Sequence, residues 1–272
     1  MIVSMHTESE ILCRACGGTA TALPQQGMLL GDVTVSYFDC AHCGYVQTET
    51  PHWLDRAYSS AINDSDTGIM LRNQTNTRIV LATMLVLKKM SGTMVDCAGG
   101  YGILVRLLRD YGVNALWADR YCTNLLARGF EHTNEPADLV TAFEAFEHFV
   151  NPAEELDKLL QIAPNVLFST EIIPDPAPKQ DDWWYYGKEH GQHIGFFRIR
   201  TLEKLAQNRG KYLLTDGRSY HLMTDLKTVP IVWRMLIRFN RFIPSLLKYM
   251  LTSKTSADYL KNIKSSRGGS GQ

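Results

Sequence analysis

One short stretch constrains this chain more than any other. Thr93-Met94-Val95-Asp96-Cys97 has the length and apolar centre of a buried strand, and Ile103–Tyr111 has helical spacing. Ala98-Gly99-Gly100-Tyr101-Gly102 joins them, and a turn so poor in side chains lets the backbone reverse tightly. Strand and helix patterns alternate from there. Val113–Ala118, Asp138–Phe143 and Asn165–Thr170 read as strands, and Ala153–Ile162 and Leu202–Arg209 as helices. Asn151-Pro152 supplies a cap and a first-turn proline, and Gly210 a stop. A helix over 75–90 precedes the first of these strands. Tyr212–Thr215 and Tyr220–Met223 form a closing hairpin. The pattern predicts an α/β fold, a doubly wound Rossmann-like sheet.

Within the turn, Gly100 and Gly102 stand four and six residues after Asp96, and a helix with free N–H groups begins directly afterwards. That combination points to a nucleotide-type cofactor. Asp119 closes the second strand 17 residues after Gly102, where a carboxylate can hold two ribose hydroxyls. A dinucleotide loop needs another glycine three residues on, and Ile103-Leu104-Val105 offers none. The cofactor expected is one without a pyrophosphate.

The N-terminal 50 residues have a different logic. Cys13-Arg14-Ala15-Cys16 and Cys40-Ala41-His42-Cys43 are separated by 23 residues, and glycine follows each pair. Four thiolates at this spacing close a tetrahedral zinc site of the structural kind. His42 becomes a ligand only if one cysteine is not. The expected organisation is a zinc module over 1–50, a cofactor domain over 51–225 and a tail over 226–272.

Composition narrows the classes. The chain of 272 residues is 45% hydrophobic and 21% charged, which excludes a disordered chain, and six cysteines are too few for a disulfide scaffold of this size. Lys and Arg total 28 and so do Asp and Glu, which argues against a chain that coats nucleic acid. The start shows no signal-peptide pattern and no apolar run approaches membrane-spanning length, so a cytoplasmic protein is expected. The tail carries nine basic residues against Asp258 alone, leaving the rest at net −8. Its mixture of large apolar and basic side chains suggests peripheral contact with the inner face of a membrane, or helices packing on the domain or on a partner copy.

Asp96-Cys97-Ala98-Gly99-Gly100-Tyr101-Gly102 resembles the first motif of class I S-adenosylmethionine-dependent methyltransferases, with Ala98 in place of the first glycine, a replacement that fits if its φ is negative. Asp138 to Pro152, with Glu147-His148, is similar to the same family's fourth-strand segment. The resemblance covers about residues 75–225. It implies Asp96 and Gly100 near the methionine part of the cofactor, with Ala98 and Gly102 in the same loop. It further implies Asp119 on the ribose and Phe130 near the adenine. A narrower resemblance joins the four cysteines and a Glu189-His190 dyad to zinc-containing sugar C-methyltransferases, with a basic tail expected where those enzymes carry a further C-terminal domain.

Methyl transfer from a sulfonium needs alignment and a base, the base contributing about 10²–10⁴ in rate. His190 is the expected base, Glu189 its helper and His193 a second candidate. Trp183-Trp184-Tyr185-Tyr186 is read as the wall of a pocket. Glu144 is placed at the mouth of the site, and Glu147-His148 is given a structural or cofactor-side role. The function expected is a small-molecule methyltransferase acting on a sugar or surface-polysaccharide precursor. The alternatives are an RNA methyltransferase with a zinc module and a non-enzymatic S-adenosylmethionine-binding scaffold. Oligomeric state and acceptor atom are not readable from the sequence.

Overall fold

The computed structural model describes residues 9–58, 67–227, 230–247 and 249–268, with the side chains of 265–268 left aside. The start of the chain, where the signal-peptide reading falls, lies outside the described residues. So do Val229, Lys248 and the last four residues of the tail. Along the chain run β1 (Glu10–Leu12), β2 (Thr19–Leu29), β3 (Val33–Cys40), β4 (Val46–Thr48), α1 (Leu54–Ala57), α2 (Ile69–Val86), β5 (Thr93–Cys97), α3 (Ile103–Asp110), β6 (Asn114–Ala118) and β7 (Leu139–Ala142). They are followed by α4 (Pro152–Ile162), β8 (Val166–Ser169), β9 (Gly195–Phe196), α5 (Ile199–Gln207), β10 (Tyr212–Thr215), β11 (Tyr220–Thr224), α6 (Pro230–Arg238), α7 (Ile243–Leu247) and α8 (Thr255–Gly268).

The chain forms two compact units that interleave in sequence. One holds Met1–Asn63, Glu144–Lys158 and Phe168–Asp225, the other Asp64–Phe143, Leu159–Leu167 and Leu226–Gln272. The three consecutive segments read from the sequence are therefore not the compact units.

In the first unit the strand order is β1-β2-β3-β4-β9, all antiparallel. β9 lies about 150 residues after β4 and pairs with it through Val46↔Phe196. Side chains tighten that junction. The Arg198 guanidinium donates to Asp39 through both terminal nitrogens at 2.8 Å, and also to the Gly44 carbonyl. Thr201 Oγ1 donates to the Cys43 carbonyl, and Arg14 reaches the Ile194 carbonyl at 2.7 Å. These bonds make the cysteine-bearing segment part of a larger unit. Tyr37, Val46, Tyr185, Tyr186, Ile194 and Phe196 fill its core. The same unit contains the expected hairpin, β10 against β11 with Leu213↔Met223, next to the Phe168–Ser169 end of β8.

In the second unit the order is β8-β7-β5-β6, β8 contributing Val166–Leu167. β6 and β7 both run parallel to β5, with Val95 opposite Leu116 on one side and Val140 on the other. Val95, Leu139 and Val140 are fully buried, as strands covered on both faces require. No helix bridges β6 to β7 among the described residues; turns and a single bridge, Trp117↔Glu131, fill the connection.

α2 starts six residues before its predicted onset. Its polar first half, Asn73-Gln74-Thr75-Asn76-Thr77-Arg78, hides the helical period, yet Asn73, Thr75 and Thr77 return hydrogen bonds to the carbonyls four residues back. The tail is structured too. α6 and α7 pack on α2 with Trp233, Ile237, Ile243 and Leu247 buried. In α8 the lone acid Asp258 takes both arms of Arg109 at 2.7 Å and Arg106 at 2.8 Å. Docking helices are thus the tail's main arrangement, and no helix among the described residues is long and apolar enough to cross a membrane.

Candidate cofactor and metal sites

The glycine turn of the second unit is built around two acids. Asp96, at the end of β5, is 3% exposed and accepts from Thr141 Oγ1 at 2.7 Å. Burial raises its carboxyl to about 7, and the charge of Asp119 adds to the rise. Asp119 follows β6 and binds the turn directly. Its Oδ2 accepts from Gly100 N at 2.9 Å, and its Oδ1 from Tyr121 N and Cys122 N. Trp117 lies along the turn and donates Nε1 to the Gly100 carbonyl. Gly102 caps α3 in the left-handed region, φ 87°, and a Cβ there would stand 2.9 Å from that of Ala127. Ala98 also has positive φ, 61°, against the expectation of a negative one. The turn demands the left-handed conformation at that position whichever residue fills it, at a cost of about 1–2 kcal/mol without glycine.

The structure thus brings together Asp96, Ala98, Gly100, Gly102 and Asp119. It puts Phe130 to another use. The ring is 3% exposed, with the Arg109 guanidinium 3.6 Å from its centre and Lys261 4.6 Å away. A face occupied by guanidinium has no room for adenine, because stacking needs that same face. Glu144 belongs to the first unit, where its Oε1 accepts from Ser169 Oγ at 2.5 Å.

The first unit holds four cysteine sulfurs in two matching turns. Gly17 N donates to the Cys13 carbonyl and Gly44 N to the Cys40 carbonyl; Cys13 N bonds Gly18 O as Cys40 N bonds Tyr45 O. Gly17 and Gly44 are both left-handed, φ 73° and 79°, which folds each pair onto one point. The sulfurs of Cys13 and Cys43 are 3.6 Å apart and those of Cys16 and Cys40 3.7 Å, with all four mutually within 4.8 Å. A zinc tetrahedron with bonds of 2.3 Å has edges of about 3.8 Å, so this donor set fits zinc. The contact with the Cys43 sulfur holds the Cys13 thiol below its ordinary value, and the same contact with burial holds Cys43 up. His42 is outside the four and sets Nδ1 3.8 Å from Cys16 Sγ.

The expected catalytic stretch, also in the first unit, divides differently from its sequence reading. Tyr185 and Tyr186 are core residues, 2% and 1% exposed, and only Trp184 points outward, so the aromatic run fills the core instead of walling a pocket. Glu189 is exposed. His190 packs on Gly187, where a Cβ would lie 2.4 Å from the imidazole, and its Nδ1 accepts from Gln192 N at 3.1 Å. Neutral His190 therefore carries its proton on Nε2. His193 is the reverse: its Nδ1 meets the Tyr185 carbonyl at 2.6 Å. A carbonyl only accepts, so the proton sits on Nδ1 and Nε2 keeps a free lone pair. Burial lowers the pKa of both rings.

That lone pair lies beside His190 and beside Glu147 and His148, which the sequence did not single out for catalysis. His193 stacks edge-on with His148, ring centres 4.9 Å apart, and with His190 at 4.8 Å. His148 meets the Tyr58 hydroxyl through Nδ1 at 2.8 Å, which turns its Nε2 toward Glu147, 3.9 Å away. Glu147 is fully buried and neither carboxylate oxygen has a hydrogen-bond partner. Tyr185 and Thr170 lie near enough to temper its charge, but the Tyr185 hydroxyl is given to Thr170 at 3.4 Å. Burial, with the charge of Glu144, raises the Glu147 carboxyl to about 8. The available signal was the adjacency of Glu147 and His148; nothing local ties them to His193, 45 residues on.

The family model described as a methyltransferase domain matches residues 71–215, more than half of the chain. The chain belongs to that methyltransferase family. It is a methyltransferase. No curated protein sequence matches it. Among solved structures, magnesium protoporphyrin IX methyltransferase from Synechocystis PCC 6803 is 14% identical over 63% of this chain and 92% of its own, with a TM-score of 0.45. An O-methyltransferase family protein from Burkholderia thailandensis is 14% identical over 63% and 67%, TM-score 0.42. An O-methyltransferase family 2 protein from Planctomyces limnophilus is 12% identical over 62% and 63%, TM-score 0.39.

Proposed function

We propose that this enzyme methylates a small hydroxylated molecule, a sugar or surface-polysaccharide precursor, and that the turn of the second unit holds its methyl donor. The supporting observation is the pairing of Asp96 and Asp119 around a turn whose backbone is open at Gly100. Asp96, whose ionisation is made costly by burial and by the charge of Asp119, favours a ligand with positive charge, and S-adenosylmethionine has a sulfonium and an ammonium. When bound, it supplies an electrophilic methyl group. Asp96 faces that charge, Asp119 has acceptor capacity left for ribose hydroxyls, and Gly102 leaves room over the start of α3. In the first unit, Glu147 and the Nε2 lone pair of His193 are the groups chemically able to bind a hydroxyl or take up its proton. His190, with its proton on Nε2, is the lesser contributor.

The four cysteines hold a structural zinc ion in this reading, the role their closed donor set suits. The sugar substrate rests on the resemblance of the cysteine pairs and the Glu189-His190 dyad to sugar C-methyltransferases. Calorimetry with S-adenosylmethionine and its demethylated product on the zinc-replete chain tests the donor site. Wild type should bind and Asp119→Ala should lose about 10-fold or more, as expected for hydrogen bonds to a charged group; equal affinity would remove Asp119 from the site. A screen of nucleotide-sugars with labelled donor tests the acceptor class, and turnover confined to RNA would favour the alternative reading.

The outer face of α6 suggests a membrane role for the tail. Ile231, Val232, Met235 and Phe239 are exposed beside Arg238, and basic side chains near an anionic surface are worth about 1 kcal/mol each. Equal sedimentation of wild type and Ile231→Ser/Met235→Ser with anionic liposomes would exclude it.

A further inference from the structure

We infer that Glu147, His148 and His193 form a second metal site, one that binds a divalent first-row ion and leaves an open position for an oxygen ligand. One ligand atom from each lies within 4.8 Å of the other two, so an ion among them needs no rearrangement of the backbone. Three further features belong to a ligand set. Glu147 is fully buried and both of its oxygens are unpartnered, a costly state for a carboxylate unless a cation occupies the place it faces. His193 donates Nδ1–H to the Tyr185 carbonyl, the outer hydrogen bond that fixes an imidazole to ligate through Nε2, and His148 has its Nδ1 on the Tyr58 hydroxyl, which is able to accept the same kind of bond. The backbone is strained at the approach: Glu144, three residues before Glu147, has φ 51° and is held there by two bonds with Ser169.

Two imidazoles and one carboxylate select against calcium and magnesium, which prefer all-oxygen sites, and suit manganese, cobalt or zinc. They differ from the four cysteines in kind. Four thiolates complete zinc's coordination, whereas three protein ligands leave at least one position for water or a hydroxyl of a bound molecule. The inference deepens the reading above by naming how this cluster acts on an acceptor, but the binding of the ion involves only residues of the first unit.

Manganese separates the two sites, because thiolates take it poorly. Full chain carrying one equivalent of zinc, which the four thiolates take first, would be titrated with Mn²⁺, with free ion followed by electron paramagnetic resonance and zinc by elemental analysis. The expected result is a saturable Mn²⁺ site in wild type that Glu147→Gln and His148→Gln abolish while bound zinc stays constant. Retained zinc and an unchanged circular dichroism spectrum show that the variants fold. Tyr58→Phe, which removes the outer bond to His148, should weaken Mn²⁺ about 10-fold or more. Absence of saturable Mn²⁺ and Co²⁺ binding in wild type, or binding that survives both substitutions, would overturn the site. Calorimetry of S-adenosylmethionine on the same samples keeps the outcomes apart: donor binding without Mn²⁺ binding refutes only the ion, and Mn²⁺ binding without donor binding refutes only the donor site.

Discussion

The first unit holds two clusters of side chains of metal-ligating type, and they are assembled in opposite ways. Cys13, Cys16, Cys40 and Cys43 arrive as two local turns, each with a left-handed glycine and the same hydrogen bonds. Glu147, His148 and His193 arrive from a short turn after β7 and from a loop before β9. The first cluster is fixed by backbone geometry a few residues long. The second is held together across the chain by bonds such as Trp53 Nε1 to Gly191 O, Gln192 Nε2 to Ala57 O and Ile194 N to Glu147 O. The difference teaches that recurring turns can encode a closed site directly, while an open site draws on the packing of distant segments.

The largest effect should come from the local cluster. Cys13→Ser with Cys40→Ser removes two ligands, and structural zinc contributes about 10–16 kcal/mol in small peptides, as much as an entire domain's stability. Loss of bound zinc with collapse of the near-ultraviolet circular dichroism is expected; an unchanged spectrum would mean that the bonds of Arg198 and Thr201 hold the knuckles unaided.

A long-range contact in the second unit offers the counterpart. Asp258 and Arg109 are 149 residues apart and both buried, so Asp258→Ala leaves an uncompensated guanidinium. Breaking such a pair costs about 3–5 kcal/mol. Urea denaturation reads it, and a loss below about 1 kcal/mol would show α8 to be peripheral to that unit.

The third test compares pH 5 with pH 8. Asp96 keeps its proton in the folded chain to about 7, while the unfolded carboxyl loses it near the ordinary 3.8. Its contribution is complete below the unfolded value and is lost as pH rises through the folded one. Stability should fall between pH 5 and pH 8 by at most about 3 kcal/mol, and Asp96→Asn should flatten the slope. An equal slope in the variant would assign the dependence elsewhere. The smallest effect is at Ala98, where glycine should gain about 1 kcal/mol by relieving the positive φ. A melting temperature that does not rise would show the turn relaxed as it stands.

The sheet and its turn were readable because each rests on short-range pattern. Apolar runs marked β5 to β8, an asparagine and a proline marked α4, and Asp96 and Asp119 stood at strand ends facing one turn. The start of α2 was not, since its polar half returns bonds to its own backbone and so escapes the apolar period. Nor was the fate of Tyr185 and Tyr186, because an aromatic run without periodicity reads alike whether it fills a core or lines a cleft.

By itself the sequence determined the alternating α/β order, the glycine turn with its two acids, and the paired cysteine turns. All are local, set by spacing and by residues able to take left-handed backbone. Only the tertiary structure decided which histidine keeps a free nitrogen, that Glu147 is buried without a partner, that Phe130 lies under Arg109, and that Asp258 fastens the tail. Those outcomes depend on which hydrogen-bonding group meets each side chain, and that neighbour comes from tens of residues away.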